Sequence, residues 1–161
     1  MSYLSPTLTL LVGAVKKATA SLDRDFNEIE KLQSSVRGYQ NFVSRSFERV
    51  AQTLKGELSR LRPDAVGTPP LSRGCCFMVN PIDGMGNFVR GIPVFATTVA
   101  YCENGEVKAS VVYNRASDEL YFAEKGSGAY KEGFRNHERL RVSAVKDGAA
   151  ALVAASIGFQ H

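Results

Sequence analysis

The chain has 161 residues, 44% hydrophobic and 22% charged, with 20 Lys and Arg against 16 Asp and Glu. That is the composition of one ordinary globular domain, long enough to bury a core, and it argues against a disordered tail; no run approaches the ~18 apolar residues of a membrane-spanning helix. The +4 charge arises wholly in residues 1–79, where 11 Lys/Arg face 7 Asp/Glu, while residues 80–161 hold 9 of each. With no basic run, zinc-finger spacing or RNP-type motif, so small an excess reads as a solvated face, and nucleic acid is not an expected partner. The start shows no basic-then-apolar leader pattern, and the cysteines are three, Cys75, Cys76 and Cys102. A disulfide framework is therefore not expected, and a reducing, cytoplasmic setting is.

Ser5-Pro6 reads as an N-cap followed by proline at the first helical position. Leu8, Leu11, Val12, Val15, Ala18, Leu22 and Phe26 recur at helical spacing, which predicts one amphipathic helix to about residue 33. After a break around Val36-Arg37-Gly38, the periodic series Val43, Phe47, Val50, Leu54, Leu58, Leu61 predicts a second helix ending before Pro63. Residues 63–74 are rich in Pro, Gly and Ser and read as a loop. Cys75 to Val79 reads as a buried strand. Pro93 to Cys102 and Glu106 to Tyr113 form a predicted hairpin about Asn104-Gly105, the residue pair a type I′ turn requires. Glu119 to Ala123 and Leu140 to Val142 read as further strands, with Gly126, Gly128 and Gly133 in turns. Ala149 to Ser156 fits either a strand or a helix. Helices followed by hairpin-connected strands indicate α+β: two N-terminal helices packed on an antiparallel β-sheet.

The segment Asn80-Pro81-Ile82-Asp83-Gly84-Met85-Gly86-Asn87-Phe88 carries the chemistry. A carboxylate at a strand end beside a glycine turn can hold a hard cation, and a helical turn beginning at Gly84 would aim backbone N–H groups at an anion beside it. That pairing is what phosphoryl chemistry uses. A plain Pro/Asp/Gly turn accounts for the same composition. Gly84-x-Gly86 also begins a dinucleotide fingerprint, but Val89 stands where the third glycine belongs and no βαβ unit surrounds it.

At this segment the chain resembles the inositol monophosphatase family, which includes the bacterial extragenic-suppressor proteins and whose signature is Asp-Pro-Ile/Leu-Asp-Gly-Thr-x-Asn-Phe after a hydrophobic strand. The resemblance extends to Arg24-Asp25-Phe26, to Phe88–Pro93, to Gly105–Asn114, and to Asp118-Glu119-Leu120-Tyr121. It continues through Glu124-Lys125-Gly126-x-Gly128-Ala129, Arg139-Leu140-Arg141-Val142-Ser143 and Ala151–Gly158. It implies the first α+β domain of that fold over residues 1–145, with 146–161 opening a second domain that is largely missing. It also implies Mg²⁺-dependent hydrolysis of phosphate monoesters such as inositol monophosphate.

Carried over residue by residue, the resemblance makes Asp83 a metal ligand, Ile82 a ligand through its backbone carbonyl, and the Gly84 and Met85 amides phosphate-binding groups. Asn80 stands where the first metal aspartate belongs, and Met85 where a threonine helps position the attacking water. Ser44-Arg45-Ser46-Phe47 stands where the family has Thr-x-Ala-Asp. Ala65-Val66-Gly67-Thr68-Pro69-Pro70 stands where Gly-Glu-Glu should follow the Arg62-Pro63-Asp64 turn. The chain also reaches His161 before the family's Trp-Asp-x-Ala-Ala-Gly region. One clear metal carboxylate remains, and one carboxylate beside a neutral amide should hold Mg²⁺ weakly or not at all.

The expectation is therefore a catalytically silent relative that binds a protein partner or a phosphate-bearing small molecule. The alternatives are a weak Mg²⁺-dependent phosphatase completed by another subunit, or a gene remnant. Loss of the second layer should expose apolar surface, which a second copy or a partner protein would cover; family members are commonly dimers. Cys75 and Cys76 are expected as structural thiols, and His137 and His161 as surface histidines. Tyr101, Tyr113, Tyr121 and Phe122 are expected as core or half-buried sheet residues. Arg45, Arg49, Arg60 and Arg62 should form a solvated helix face, with a site for an acidic partner as the alternative.

Overall fold

Residues 4–32, 36–65, 73–133 and 136–153 are described in the computed structural model. Ser5 caps the first helix, α1 (Pro6–Ala18), with an extended backbone and an Oγ that accepts the Leu8 N–H at 3.2 Å. Pro6 sits in the first turn, where a missing N–H costs nothing, and Lys16 and Lys17 stand at the negative end of the helix dipole.

The single helix expected to residue 33 is instead two. Helix α1 ends at Thr19, whose hydroxyl donates to the Val15 carbonyl at 2.8 Å, and α2 (Leu22–Leu32) starts after a tight turn closed by Leu22 N–H to Thr19 O at 2.9 Å. The turn is short enough that Leu22 and Ile29 stay buried with Leu8, Leu11 and Val15, so the apolar spacing runs through the break unchanged. Among the described residues three α-helices therefore precede the sheet. The third, α3 (Val36–Leu61), already includes the residues expected to form a break at 36–38. It buries Val43, Val50, Leu54 and Leu58 and gives way to a 3₁₀ turn over Pro63–Ala65.

Among the described residues there are six strands, β1 (Cys75–Asp83), β2 (Ala96–Glu103), β3 (Glu106–Asn114), β4 (Glu119–Glu124), β5 (Gly128–Lys131) and β6 (Glu138–Leu140). They form one antiparallel meander in the order β1-β2-β3-β4-β5-β6. The hairpin between β2 and β3 turns at Asn104 (φ 51°) and Gly105 (φ 80°), the two positive φ values a type I′ turn demands. Strand β5 lies where only turn glycines were expected. Gly126 and Gly128 make the turn, and Ala129–Lys131 then pair with Tyr121–Ala123. The strand expected at 140–142 pairs instead at 138–140. In the last stretch Gly148–Ala150 form a 3₁₀ turn capped by the Asp147 carboxylate, and the remainder of the Ala149–Ser156 reading from residue 154 lies outside the described residues.

The core lies between the helices and one face of the sheet. Helix α1 packs over β3 and its neighbours, and α3 packs over β1. Val99, Tyr101, Val111, Tyr113, Leu120 and Phe122 close that core from the sheet side, as expected for the tyrosines at 101 and 113 and for Phe122. Tyr121, of opposite parity, is half-buried, which the same expectation covers. On the other face, Met78, Ala100, Ser110, Ala123, Ala129 and Leu140 pair in register across all six strands. This row is shallow in the middle, and Met78 and Leu140 are exposed at its ends.

Candidate functional site

The Asn80–Phe88 segment begins inside β1, which runs to Asp83, four residues beyond the apolar run at 75–79. Proline is tolerated there because β1 is an edge strand of the described sheet. The Pro81 carbonyl accepts the buried Thr97 hydroxyl at 2.6 Å, while Asn80 pairs with Thr98 and Asp83 with Ala96 across an irregularity in the register. Ile82 is buried in the core, whereas Asn80 and Asp83 are exposed.

Gly84 then takes the left-handed conformation at φ 78°, and a Cβ there would lie 2.9 Å from the Val94 carbonyl oxygen. Only glycine satisfies both the dihedral and the space. A short helix, α4 (Met85–Val89), follows, with Asn87 and Phe88 N–H donating to Gly84 O at 2.8 and 3.0 Å. The helical turn expected at Gly84 is thus present. The Gly84 N–H itself is engaged, donating to Asp83 Oδ1 at 3.1 Å. Met85 is half-buried and packs against the core.

Two side chains fix this turn to the fold. Asn87 Nδ2 donates to Val94 O at 2.7 Å, and the Ile92 N–H returns to Asn87 O at 2.9 Å. Phe88 is fully buried, edge-on to Phe95 at 4.9 Å between centroids, with Phe26 of α2 at 6.0 Å.

Among the described residues, the donor set around Asp83 does not fit a paired-metal centre. Asp83 offers one carboxylate, already accepting an amide, and Asn80 a neutral oxygen. Among the described residues no three His, Cys, Asp or Glu side chains converge. Mg²⁺ bound by protein needs carboxylate charge to offset its dehydration, and a two-ion clamp needs several such groups.

Several side chains read from sequence as solvated are in fact joined to distant partners. Arg49 donates to the buried Asp25 at 2.6 Å, tying α3 to α2. Arg62 donates to the Tyr101 hydroxyl at 3.0 Å and to Cys75 Sγ at 2.9 Å. Desolvation pushes the Cys75 thiol up, with its hydrogen bond to Asp64 acting in the same direction. Arg45 and Arg60 remain on the surface. His137 is not a free surface histidine: its ring stands edge-on to Phe122 at 5.0 Å. His161 lies outside the described residues.

One polar cluster had no signal in the sequence. Arg115 binds Asp23 at 2.5 Å and the buried Tyr113 hydroxyl at 2.8 Å, and that hydroxyl donates to Asp118 at 2.5 Å. With Phe26, Asn27 and Pro93 these residues line an open cleft of about 470 Å³. Its charges are largely satisfied among themselves, which makes it a brace between α2 and the β3–β4 turn.

Comparison with known proteins agrees with this architecture. The chain is 41% identical over 152 residues to an inositol-1-monophosphatase of Rhizobium meliloti, an alignment covering 88% of this chain and 54% of that protein. It is 26% identical to the Nus factor SuhB of Vibrio cholerae, over 97% of this chain and 60% of that one. The crystal structure of the extragenic suppressor protein suhB from Bartonella henselae superposes with a TM-score of 0.70 at 34% identity, covering 88% of this chain and 56% of that one. The chain therefore spans little more than half the length of the relatives it matches. The inositol monophosphatase family model matches residues 3–161. With its helices packed on a six-stranded antiparallel sheet and the Asn80–Phe88 turn in place, the chain belongs to the inositol monophosphatase family.

Proposed function

We propose that this chain, by itself, does not hydrolyse phosphate monoesters and acts by binding. The observation that carries this reading is the donor set around Asp83: one exposed carboxylate, with amide-bearing Asn80 and thioether-bearing Met85 at the neighbouring positions. Mg²⁺ binding there should be weak or absent. The unit would comprise residues 1–145, with 146–161 belonging to a second unit, in a cytoplasmic protein.

The binding surface in this reading is the sheet face turned away from the helices. The row from Met78 to Leu140 is shallow, with small side chains between two exposed apolar ends, and suits a second copy or a partner protein laid flat upon it. A phosphate-bearing small molecule at the Gly84 and Met85 amides is the other ligand, since backbone donors do not depend on side-chain identity. Retention of Asp83 at the strand end favours one second reading, a weak Mg²⁺-dependent phosphatase acting on inositol monophosphate. Further carboxylates would then have to come from another subunit.

The test is phosphate release from inositol 1-phosphate by the purified chain, with and without Mg²⁺, beside Asp83→Ala. The binding reading expects no Mg²⁺-dependent release above the variant. Turnover that needs Mg²⁺ and vanishes in Asp83→Ala would overturn it in favour of the enzyme.

A further inference from the structure

Cys76 and Cys102 face each other across the β1–β2 ladder. They are direct register partners in an antiparallel pair, and each is only 4% exposed. Asn104 N–H donates to Gly74 O in the same register, so Cys76 and Cys102 are a hydrogen-bonded pair with Cα atoms about 5.5 Å apart, inside the roughly 4.4–6.8 Å window of a disulfide. Edge strand β1 must shift by about 1 Å to bring their Cβ atoms within the bond's roughly 3.5–4.5 Å reach. Both side chains lie on the face away from the helices, because Cys75, Phe77 and Tyr101, of opposite parity, turn towards them. Cys75 is thereby withdrawn from the pair and held by Arg62 and Asp64.

We propose that Cys76 and Cys102 form a redox-sensitive pair: a hydroperoxide oxidises them to a cross-strand disulfide that fastens edge strand β1 to β2. In the first step the thiolate of one cysteine attacks a peroxide oxygen; the O–O bond breaks, giving a sulfenic acid and hydroxide. In the second, the facing thiolate attacks the sulfenic sulfur, the S–S bond forms and a second hydroxide leaves. With the two thiol protons, the products are one disulfide and two waters. The two sulfurs lose two electrons and the peroxide gains them. Hydrogen peroxide is small enough for so enclosed a pair, unlike a bulky disulfide oxidant. Burial, with Cys76 close by, holds the Cys102 thiol above its ordinary range, so the reaction should quicken as pH rises and the thiolate fraction grows.

The consequence falls on the strand that carries Asn80 and Asp83. Among the described residues strand β1 pairs on one side alone, and Asp83 follows an irregularity in its register. A covalent link at its far end closes the segment between residues 76 and 102 into a loop containing the Gly84 turn, which restricts the unfolded chain and opposes fraying of the edge.

The experiment treats the intact chain with hydrogen peroxide, denatures it, alkylates the remaining thiols without reductant and maps the peptides by tandem mass spectrometry. The expected result is a fall in alkylatable thiols from the three free cysteines to one, with Cys76 linked to Cys102. Dithiothreitol should reverse the link, Cys75→Ser should leave it intact, and the urea midpoint should rise on oxidation in the wild type but not in Cys102→Ala. Three persisting thiols, a link from Cys76 to Cys75, a link between two chains, or sulfinic acid without a link would each overturn the proposal. The wild-type map decides it even where a variant fails to fold.

Discussion

The two halves of the Asn80–Phe88 segment behave differently. From Gly84 to Phe88 nearly every group is committed to the fold: Gly84 against the Val94 carbonyl, Asn87 bonded to the 92–94 loop, Phe88 sealed between Phe95 and Phe26. From Asn80 to Asp83 the backbone is equally fixed, by strand pairing and by Thr97 on Pro81 O, yet the side chains of Asn80 and Asp83 stand in solvent. A family signature can thus persist as a piece of architecture while the ligands it displays change. Resemblance in such a segment testifies to the fold first, and to chemistry only where the displayed side chains are the right ones.

The largest effect should follow from removing the anchor. Phe88→Ala deletes a fully buried ring and leaves Phe26 and Phe95 facing a cavity, at a cost of about 3–5 kcal/mol. That is a large part of the roughly 5–15 kcal/mol stability of a small domain, so urea denaturation followed by circular dichroism should show a midpoint lowered by at least about 1 M. Gly84→Ala should come next. Its methyl would meet a backbone oxygen at 2.9 Å and force a side chain into φ 78°, costing about 2–3 kcal/mol in the same assay. A Gly84→Ala chain as stable as wild type would mean that the turn moves freely, and the contrast between a fixed and a displayed half would fail.

Much of the scaffold was legible because its determinants are local. Ser5-Pro6 announces the start of α1, Asn104-Gly105 the β2–β3 turn, and Tyr101 and Tyr113 stand in the buried sheet face expected of them. The break between α1 and α2 was hidden because a tight turn at Thr19 preserves the spacing of buried residues on either side of it. Strand β5 was hidden by its glycines, which supply the turn and then leave only three side chains to signal a strand. Arg49, Arg62 and Arg115 were misread or passed over because their partners, Asp25, Tyr101 and Asp23, come from elsewhere in the chain, and only tertiary packing brings them together. At the site, the positions of Asn80, Ile82, Asp83, Gly84 and Met85 could be read from the motif. The engagement of the Gly84 amide by the Asp83 carboxylate could not, since it depends on a side-chain rotamer.

The smallest effect on stability belongs to Asp83. Its carboxylate is exposed and bonds to the amide of the next residue, which water can solvate in its place, so Asp83→Ala should change stability by no more than about 0.5 kcal/mol. Its effect on ligands is more informative, because the two functional readings predict opposite signs. If a phosphate binds at the Gly84 and Met85 amides, the Asp83 carboxylate competes for the first of them and repels the anion. Removing it should then tighten binding of inorganic phosphate in isothermal titration, with or without Mg²⁺. If instead Asp83 recruits Mg²⁺ and the phosphate follows the metal, the same substitution should weaken phosphate binding, and the weakening should appear only when Mg²⁺ is present. A side chain that scarcely touches the fold can therefore decide what the fold displays it for.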